Sequence, residues 1–410
     1  MVQAIGIDFG TTNSVVALLH DDGSVTTQRH DSLYVFRSVL CFWPEPARGR
    51  TLLRHAAGPA SIAAYLEDPL DSRLLMSMKT YLAQRSFAET RIFGHPFTLP
   101  RLIALFLRAL LADVPRPRRV VVGRPVRFAG EFVDDELGAE RLRAACAEAG
   151  LPDVALALEP QAAGIRFART LSQAATVLIG DFGGGTSDFS ILRFDPRRGV
   201  TPLGHAGIGI AGDVFDYRII DKAIAPLLGK GDMYRVMGKT LPVPPDFFSG
   251  FARWHLLSLM RTPRTLRSIA EVARTSDQPE RLHHLMALIE DGQGYALYQC
   301  VAGAKAALSR EETAILHFRH KNFAIERTIG CADFESWIAA DLDRLAATVD
   351  RALAGAGMTP DAIDRVFLTG GTAFVPAVRR LFETRFGADK LAGGGEFVSV
   401  AEGLALIDGD

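Results

Sequence analysis

Two short stretches hold the residues best suited to chemistry. In IGIDFGTTNS (5–14) an acid, a glycine and two threonines follow an apolar run, and IGDFGGGTSD (179–188) nearly repeats that order far downstream. Gly10 permits backbone angles that L-residues avoid, so successive N–H groups converge on an anion, with the Thr11 and Thr12 hydroxyls as further donors. Asp8, at the strand end, suits a magnesium ion, which keeps several waters and accepts few carboxylates. Alone, this turn reads equally well as a structural hairpin. After Asp181, however, Gly183, Gly184, Gly185 and Thr186 form a second turn of the same kind. Two anion-binding hairpins are therefore expected to grip one polyphosphate, with Asp8 and Asp181 approaching its metal from opposite sides. Gly370 and Gly371 in LTGGTAFVP make a third glycine turn, either a seat for a nucleoside or a plain strand-to-helix turn.

The elements that must carry these turns follow from hydrophobic periodicity. AIGID and SVVALL read as strands around the first turn, and SVLCFW continues the β character to Pro44. From about 58 to 112, apolar spacings of three and four in SIAAYLEDPL, SRLLMSMKTYLAQ and LPRLIALFLRALLADV predict a small helical subdomain. RRVVVGRPV returns to strand, and EFVDDELGAERLRAACAEAG forms a helix closed at Gly150. Pro160 suits the first turn of the next helix, which puts Glu159 where strand hands over to helix. From about 175, ATVLIGD, DFSILRF and GVTPLGHAGI rebuild a second sheet, so the fold class is α/β with duplicated lobes. A long helical region from 226 to about 310 follows. In it Phe247, Phe251, Trp254 and Leu257 share a helical face, read first as core packing and second as a docking face for a partner protein. IDRVFLTGGTAFVPAVRRLF is strand, glycine turn and helix, and FVSVAEGLALI is a closing helix.

Composition bounds the function classes. At 410 residues the chain exceeds one comfortable core, and 48% hydrophobic with 23% charged residues is ordinary for a globular protein. A net charge of -1 gives no field that favours a polyanion or a membrane surface, so neither nucleic acid nor membrane is expected as partner. Cys41, Cys146, Cys300 and Cys331 are scattered without metal-ligand or disulfide spacing. No leader and no membrane-span run is read, so a cytoplasmic address is expected.

The order of Asp turn, glycine-rich Asp turn and GG turn resembles the actin, hexokinase and heat-shock chaperone superfamily. Within it the sequence is most similar to the 70-kDa heat-shock chaperones, the DnaK family. IGIDFGTTNSVVAL is similar to that family's first phosphate loop, EPQAAG to its Glu-Pro-Thr-Ala-Ala segment and DFGGGTSDFSI to its second phosphate loop. AGDVFD (211–216) resembles the segment after that loop, AKAALS (304–309) the adenosine helix and TGGTAFVPAVRRL the adenosine turn. The resemblance implies an actin-like ATPase fold, two α/β lobes around a nucleotide cleft. Lobe I would be 1–172 with a subdomain at about 37–116, and lobe II 173–397 with an enlarged helical subdomain at about 226–332. A C-terminal helix, 398–410, would return to lobe I.

Residue by residue, the resemblance implies that Gly10, Thr11, Thr12, Asn13, Gly183, Gly184 and Gly185 hold the phosphates of ATP or ADP, and that Asp8 and Asp181 hold hydrated magnesium. Lys79 in SMKTYL would reach the terminal phosphate and orient water. Glu159 would help position metal and water, Thr186 would touch the γ-phosphate, and Asp188 is the candidate proton acceptor. Lys305 and Ser309 would line the adenosine, facing Gly370, Gly371, Thr372 and Phe374. Three departures stand out. Ala302 replaces the family's ribose-binding Glu, Phe374 replaces the arginine that packs on adenine, and the resemblance stops before the family's linker and peptide-binding domain, so neither is expected, as in the truncated YegD-type homologues. The expectation is a weak ATPase acting as a chaperone-like nucleotide switch, with a partner protein docked near Phe247, Phe251 and Trp254. A nucleotide-sensing scaffold without turnover and a small-molecule kinase of the same superfamily remain the alternatives.

Overall fold

Strand Val2–Phe9 is apolar at both faces through Ala4–Ile7 and buried there, which makes it the centre of a sheet rather than an edge. In the computed structural model, it pairs antiparallel with Asn13–His20 and parallel with Arg119–Arg124. Val154–Leu158 adds parallel to Arg119–Arg124, and Val25–Thr27 antiparallel to Asn13–His20. The described residues are 2–30, 33–47, 50–68, 71–128, 133–151, 153–168, 173–195, 199–251, 260–321, 323–392 and 399–407. A second sheet repeats this plan around Ala175–Phe182. That strand pairs antiparallel with Ser187–Asp195, which pairs antiparallel with Gly199–Ile208. On its other side Arg365–Thr369 and Leu391–Ala392 add in parallel. The register matches as well: Phe9 faces Ser14 across the first turn and Phe182 faces Ser187 across the second. The duplicated α/β arrangement expected from the sequence is therefore present strand for strand.

Two compact units are formed. One comprises Met1–Glu67, Leu74–Gly212 and Asp341–Asp410, and holds both sheets. Within it, helix Glu159–Ala168 follows the last strand of the first sheet but packs on strands of the second, while helix Ser399–Leu406 packs on strands of the first. Glycines allow these approaches. A Cβ on Gly6 would stand 2.2 Å from the Ala401 carbonyl oxygen, and one on Gly403 would stand 1.8 Å from that of Ala162. Ala162, Ala163, Val177, Ile179, Leu192, Val400 and Leu404 make the core where these helices meet the sheets. The sequence-expected boundary at 172–173 falls between the two sheets, and residues 169–172 lie outside the described residues.

The other unit comprises Asp68–Arg73 and Asp213–Ala340. It carries helices Pro263–Ala273, Pro279–Glu290 and Gly294–Ala307, together with the hairpins Met233–Val236/Lys239–Pro242 and Thr313–His320/Phe323–Gly330. The first of those hairpins begins before the break expected at TLPVPPDFF, in a stretch expected to be helical apart from that break and one at RTPRT. Its Gly238, at φ +75°, supplies the turn that periodicity does not register. Phe251 is 2% exposed, which agrees with the first reading, core packing, at that position. Phe247 is half-buried, and Trp254 and Leu257 lie outside the described residues. Among the described residues no helix is long and apolar enough to cross a membrane.

The segment 72–84 also departs from expectation. Instead of a helix it forms a short strand, Arg73–Leu75, and one 3-10 turn, Met78–Tyr81, entered through Ser77 at φ 54°. Met76, Met78, Leu82 and Ala83 are all buried, so the apolar spacing reflects a loop packed into the core rather than the stripe of a helix.

Candidate functional site

Both Asp turns are four-residue connections, Gly10–Asn13 and Gly183–Thr186, closing tightly paired strands. Gly10 is required by close approach, since a Cβ there would stand 2.0 Å from the Asn13 carbonyl oxygen. The Gly183 N–H donates to the Thr186 carbonyl at 2.9 Å and closes the second turn. The two turns meet: a Cβ on Gly185 would lie 3.0 Å from Thr11 Oγ1. Thr11 and Thr186 are buried, Thr12 and Asn13 half-buried, and Gly183 exposed. Gly370, at φ +86°, backs onto the second turn, where a Cβ would strike the Phe182 carbonyl oxygen at 2.0 Å. Thr372 beyond it is buried, whereas Phe374 is 52% exposed.

Lys79 and Glu159 lie 80 residues apart in sequence and form a buried ion pair, Nζ to Oε1 at 2.5 Å, with side chains only 7% and 5% exposed. Lys79 is therefore not a solvated surface lysine. Glu159 is placed by the strand-to-helix junction at its own position, and Gly123 beside it makes room, because a Cβ there would stand 2.9 Å from Glu159 Cγ. Lys79 is held by its 3-10 turn. Arg141, on helix Asp135–Ala149, gathers the chain just after that turn. Its Nη1 donates to the carbonyls of Tyr81, Leu82 and Gln84, and its Nη2 to that of Phe87 at 2.7 Å. Sequence reading did not single out Arg141, because carbonyl acceptors leave no residue-type signal.

Asp8, Asp181, Asp188, Glu159 and Lys79 are near enough to feel one another's charge. Burial first, and the Glu159 charge second, push the Asp8 carboxyl up to about 7, with Lys79 pulling the other way. Asp181 is raised well above the usual carboxylate range by burial, then by Glu159, Asp8 and Asp188. Burial and Glu159 likewise raise Asp188 to about 7, although it accepts the Val126 N–H at 2.8 Å, the Arg127 N–H at 3.3 Å and the Thr186 hydroxyl. Desolvation alone would lower Lys79, but Glu159, Asp8 and Asp181 outweigh it and hold its ammonium charged. Four carboxylates against one ammonium leave the pocket short of positive charge, and that deficit is a fit for a cation. Among the described residues no group of three or more His, Cys, Asp or Glu is placed to cage a metal.

Lys305 and Ser309 belong to the other unit. Lys305 Nζ lies 2.8 Å from Asp216 Oδ1, and Asp216, in the AGDVFD segment, is buried. Ser309 Oγ donates back to the Lys305 carbonyl at 3.4 Å. Ala302 is half-buried on the same helix.

Against known proteins, residues 295–409 match the family model described as Hsp70 protein. Over 404 residues, 95% of this chain, it is 26% identical to the Chaperone protein DnaK of Thermus thermophilus. Over 427 aligned positions, 98% of this chain, it is 24% identical to the Chaperone protein HscA homolog of Tolumonas auensis. The chain is thus similar to Hsp70-type chaperones along nearly all of its length. Its mixed α/β architecture with two matching sheets is consistent with an Hsp70 or actin-like ATPase fold. The Hsp70-like chain covers 58% and 57% of the length of those two relatives.

Proposed function

We propose that this Hsp70-like protein binds ATP with magnesium and hydrolyses it slowly, as a nucleotide switch in a chaperone-like role. The observation that carries the reading is the buried Lys79–Glu159 pair, set among Asp8, Asp181 and Asp188 in the unit where the two glycine turns meet. Backbone N–H groups of Gly10–Asn13 and Gly183–Thr186, with the Thr11, Thr12 and Thr186 hydroxyls, would hold phosphate oxygens. Asp8 and Asp181 would hold magnesium through its water shell, and the ion would supply neutralisation of phosphate charge. Lys79 Nζ would turn from Glu159 toward the terminal phosphate, and the released Glu159 carboxylate would orient water for in-line attack. Asp188 would take up the proton through the oxygen that does not accept the Val126 and Arg127 N–H groups.

Phosphate release from ATP by the purified protein with magnesium tests this, beside Lys79→Ala and with calorimetric ATP binding on both. Slow release that disappears in the variant while binding persists is expected. Binding without release in either protein would replace the reading by one of nucleotide sensing without turnover, and absence of binding would overturn it.

A further inference from the structure

Strand Phe36–Arg37 is only two residues long, yet it is tied at three points to the first glycine turn. Arg37 pairs with Asn13 and Phe36 with Ser14. The Ser38 N–H donates to the Thr12 carbonyl at 2.9 Å, and Ser14 Oγ and Ser38 Oγ share a buried hydrogen bond of 2.9 Å. Alternation along a strand then separates two faces. Ser14, Phe36 and Ser38 point inward and are buried, whereas Asn13 and Arg37 are half-buried on the other face. On that face Arg37 Nη1 donates to Asn13 Oδ1 at 3.1 Å.

This contact fixes more than a strand end. With Oδ1 occupied by the guanidinium, the Asn13 amide is turned so that its NH2 group is left to donate elsewhere. A guanidinium carries five N–H donors, and among the described residues Asn13 is the one protein partner of the Arg37 guanidinium. The remaining donors form a planar fork with a permanent charge, the geometry that matches phosphate oxygens. Nothing in the residue types around 36–38 signals this in sequence, because the Arg is brought to the turn across 24 positions.

We propose that Arg37 is a polyphosphate-reading residue of the first turn, which orients the Asn13 amide and places its own guanidinium against the phosphate chain of the nucleotide. The inference rests on the nucleotide reading above and assigns a specific residue the task of distinguishing a phosphorylated nucleotide from its nucleoside. Arg37 would contribute affinity that scales with phosphate charge and is absent for adenosine.

Calorimetric affinities of ATP, ADP and adenosine for wild type, Arg37→Gln and Arg37→Lys, each with a melting curve and at two salt concentrations, test the proposal. Gln keeps a hydrogen-bond donor for Asn13 but removes the charge, and Lys keeps the charge without the fork. We expect Arg37→Gln to weaken ATP and ADP by about tenfold or more, since charge-assisted bonds to phosphate are of that order, and to leave adenosine unchanged. The salt dependence of ATP affinity should become shallower in Arg37→Gln, and Arg37→Lys should recover part of the loss. Equal loss for adenosine and ATP, or a loss that tracks a lowered melting temperature in both variants, would show a merely structural strand and overturn the proposal. Unchanged ATP affinity in Arg37→Gln would overturn it too. Wild-type protein that binds none of the three ligands would instead overturn the nucleotide reading itself, and this inference with it.

Discussion

Taking away the Lys79 ammonium would leave Glu159, Asp8 and Asp181 facing one another in a poorly solvated pocket. Breaking a buried pair from one side is costly because the surviving charge stays uncompensated. Lys79→Met is therefore expected to lower unfolding stability by about 3 kcal/mol in magnesium-free buffer. Glu159→Gln in the same chain should return part of that loss, and urea titrations of the four proteins in a double-mutant cycle measure it. Additive effects would show that the two side chains do not work as a pair. Asp8 and Asp181 were legible in sequence because the acid, the glycines and the threonine of each turn lie within ten positions. Lys79 and Glu159 were nameable only through family resemblance, since a lysine 80 residues from its partner has no local signature. Arg37 and Arg141 were not legible at all. The first works through an amide brought across from another strand, the second through four carbonyls of a loop.

At the level of elements, the segment bearing Lys79 owes its shape to another element's side chain. The loop 81–87 wraps the Arg141 guanidinium, while Arg85 pairs with Asp134 at 2.6 Å and the Asp134 N–H donates to the Ala83 carbonyl. Arg141→Met removes the donors but keeps much of the stem, so the carbonyls of Tyr81, Leu82, Gln84 and Phe87 lose a charged partner. Stability should fall by about 2 kcal/mol. Phosphate release should fall several-fold more than ATP affinity, because Lys79 would lose its fixed position while the glycine turns stay intact. Parallel steady-state kinetics and calorimetry on the variant check this, and an affinity loss as large as the rate loss would count against it. The same segment shows why a helix was expected and not found. Met76, Met78, Leu82 and Ala83 satisfy helical spacing by being inserted singly into the core, a pattern that periodicity cannot distinguish from a stripe. The strands flanking the Asp turns were read correctly because their apolar runs are short, β-branched and ended by glycine.

Over the whole molecule, the unit that holds both sheets is assembled from three separated stretches of chain, the last of which ends in helix Ser399–Leu406. That helix covers Ala4, Val15, Ala17 and Leu19 with Ala401 and Ala405, and Glu402 reaches Thr27 at 3.1 Å and Arg166 at 2.5 Å. A chain stopped after Ala392 should therefore lose cooperative unfolding of this unit and expose the outer face of its first sheet, seen as dye binding and a broadened melting curve. A truncated chain that melts as sharply as the full one would show that the helix is dispensable. The tight seating at Gly6 also has a consequence in time. During synthesis the first strand leaves the ribosome nearly four hundred residues ahead of the helix that shelters it. At roughly 5–20 residues per second, that face waits on the order of twenty seconds or longer for its cover. Through that interval the nascent chain presents an apolar strand surface of the kind that general holdases recognise.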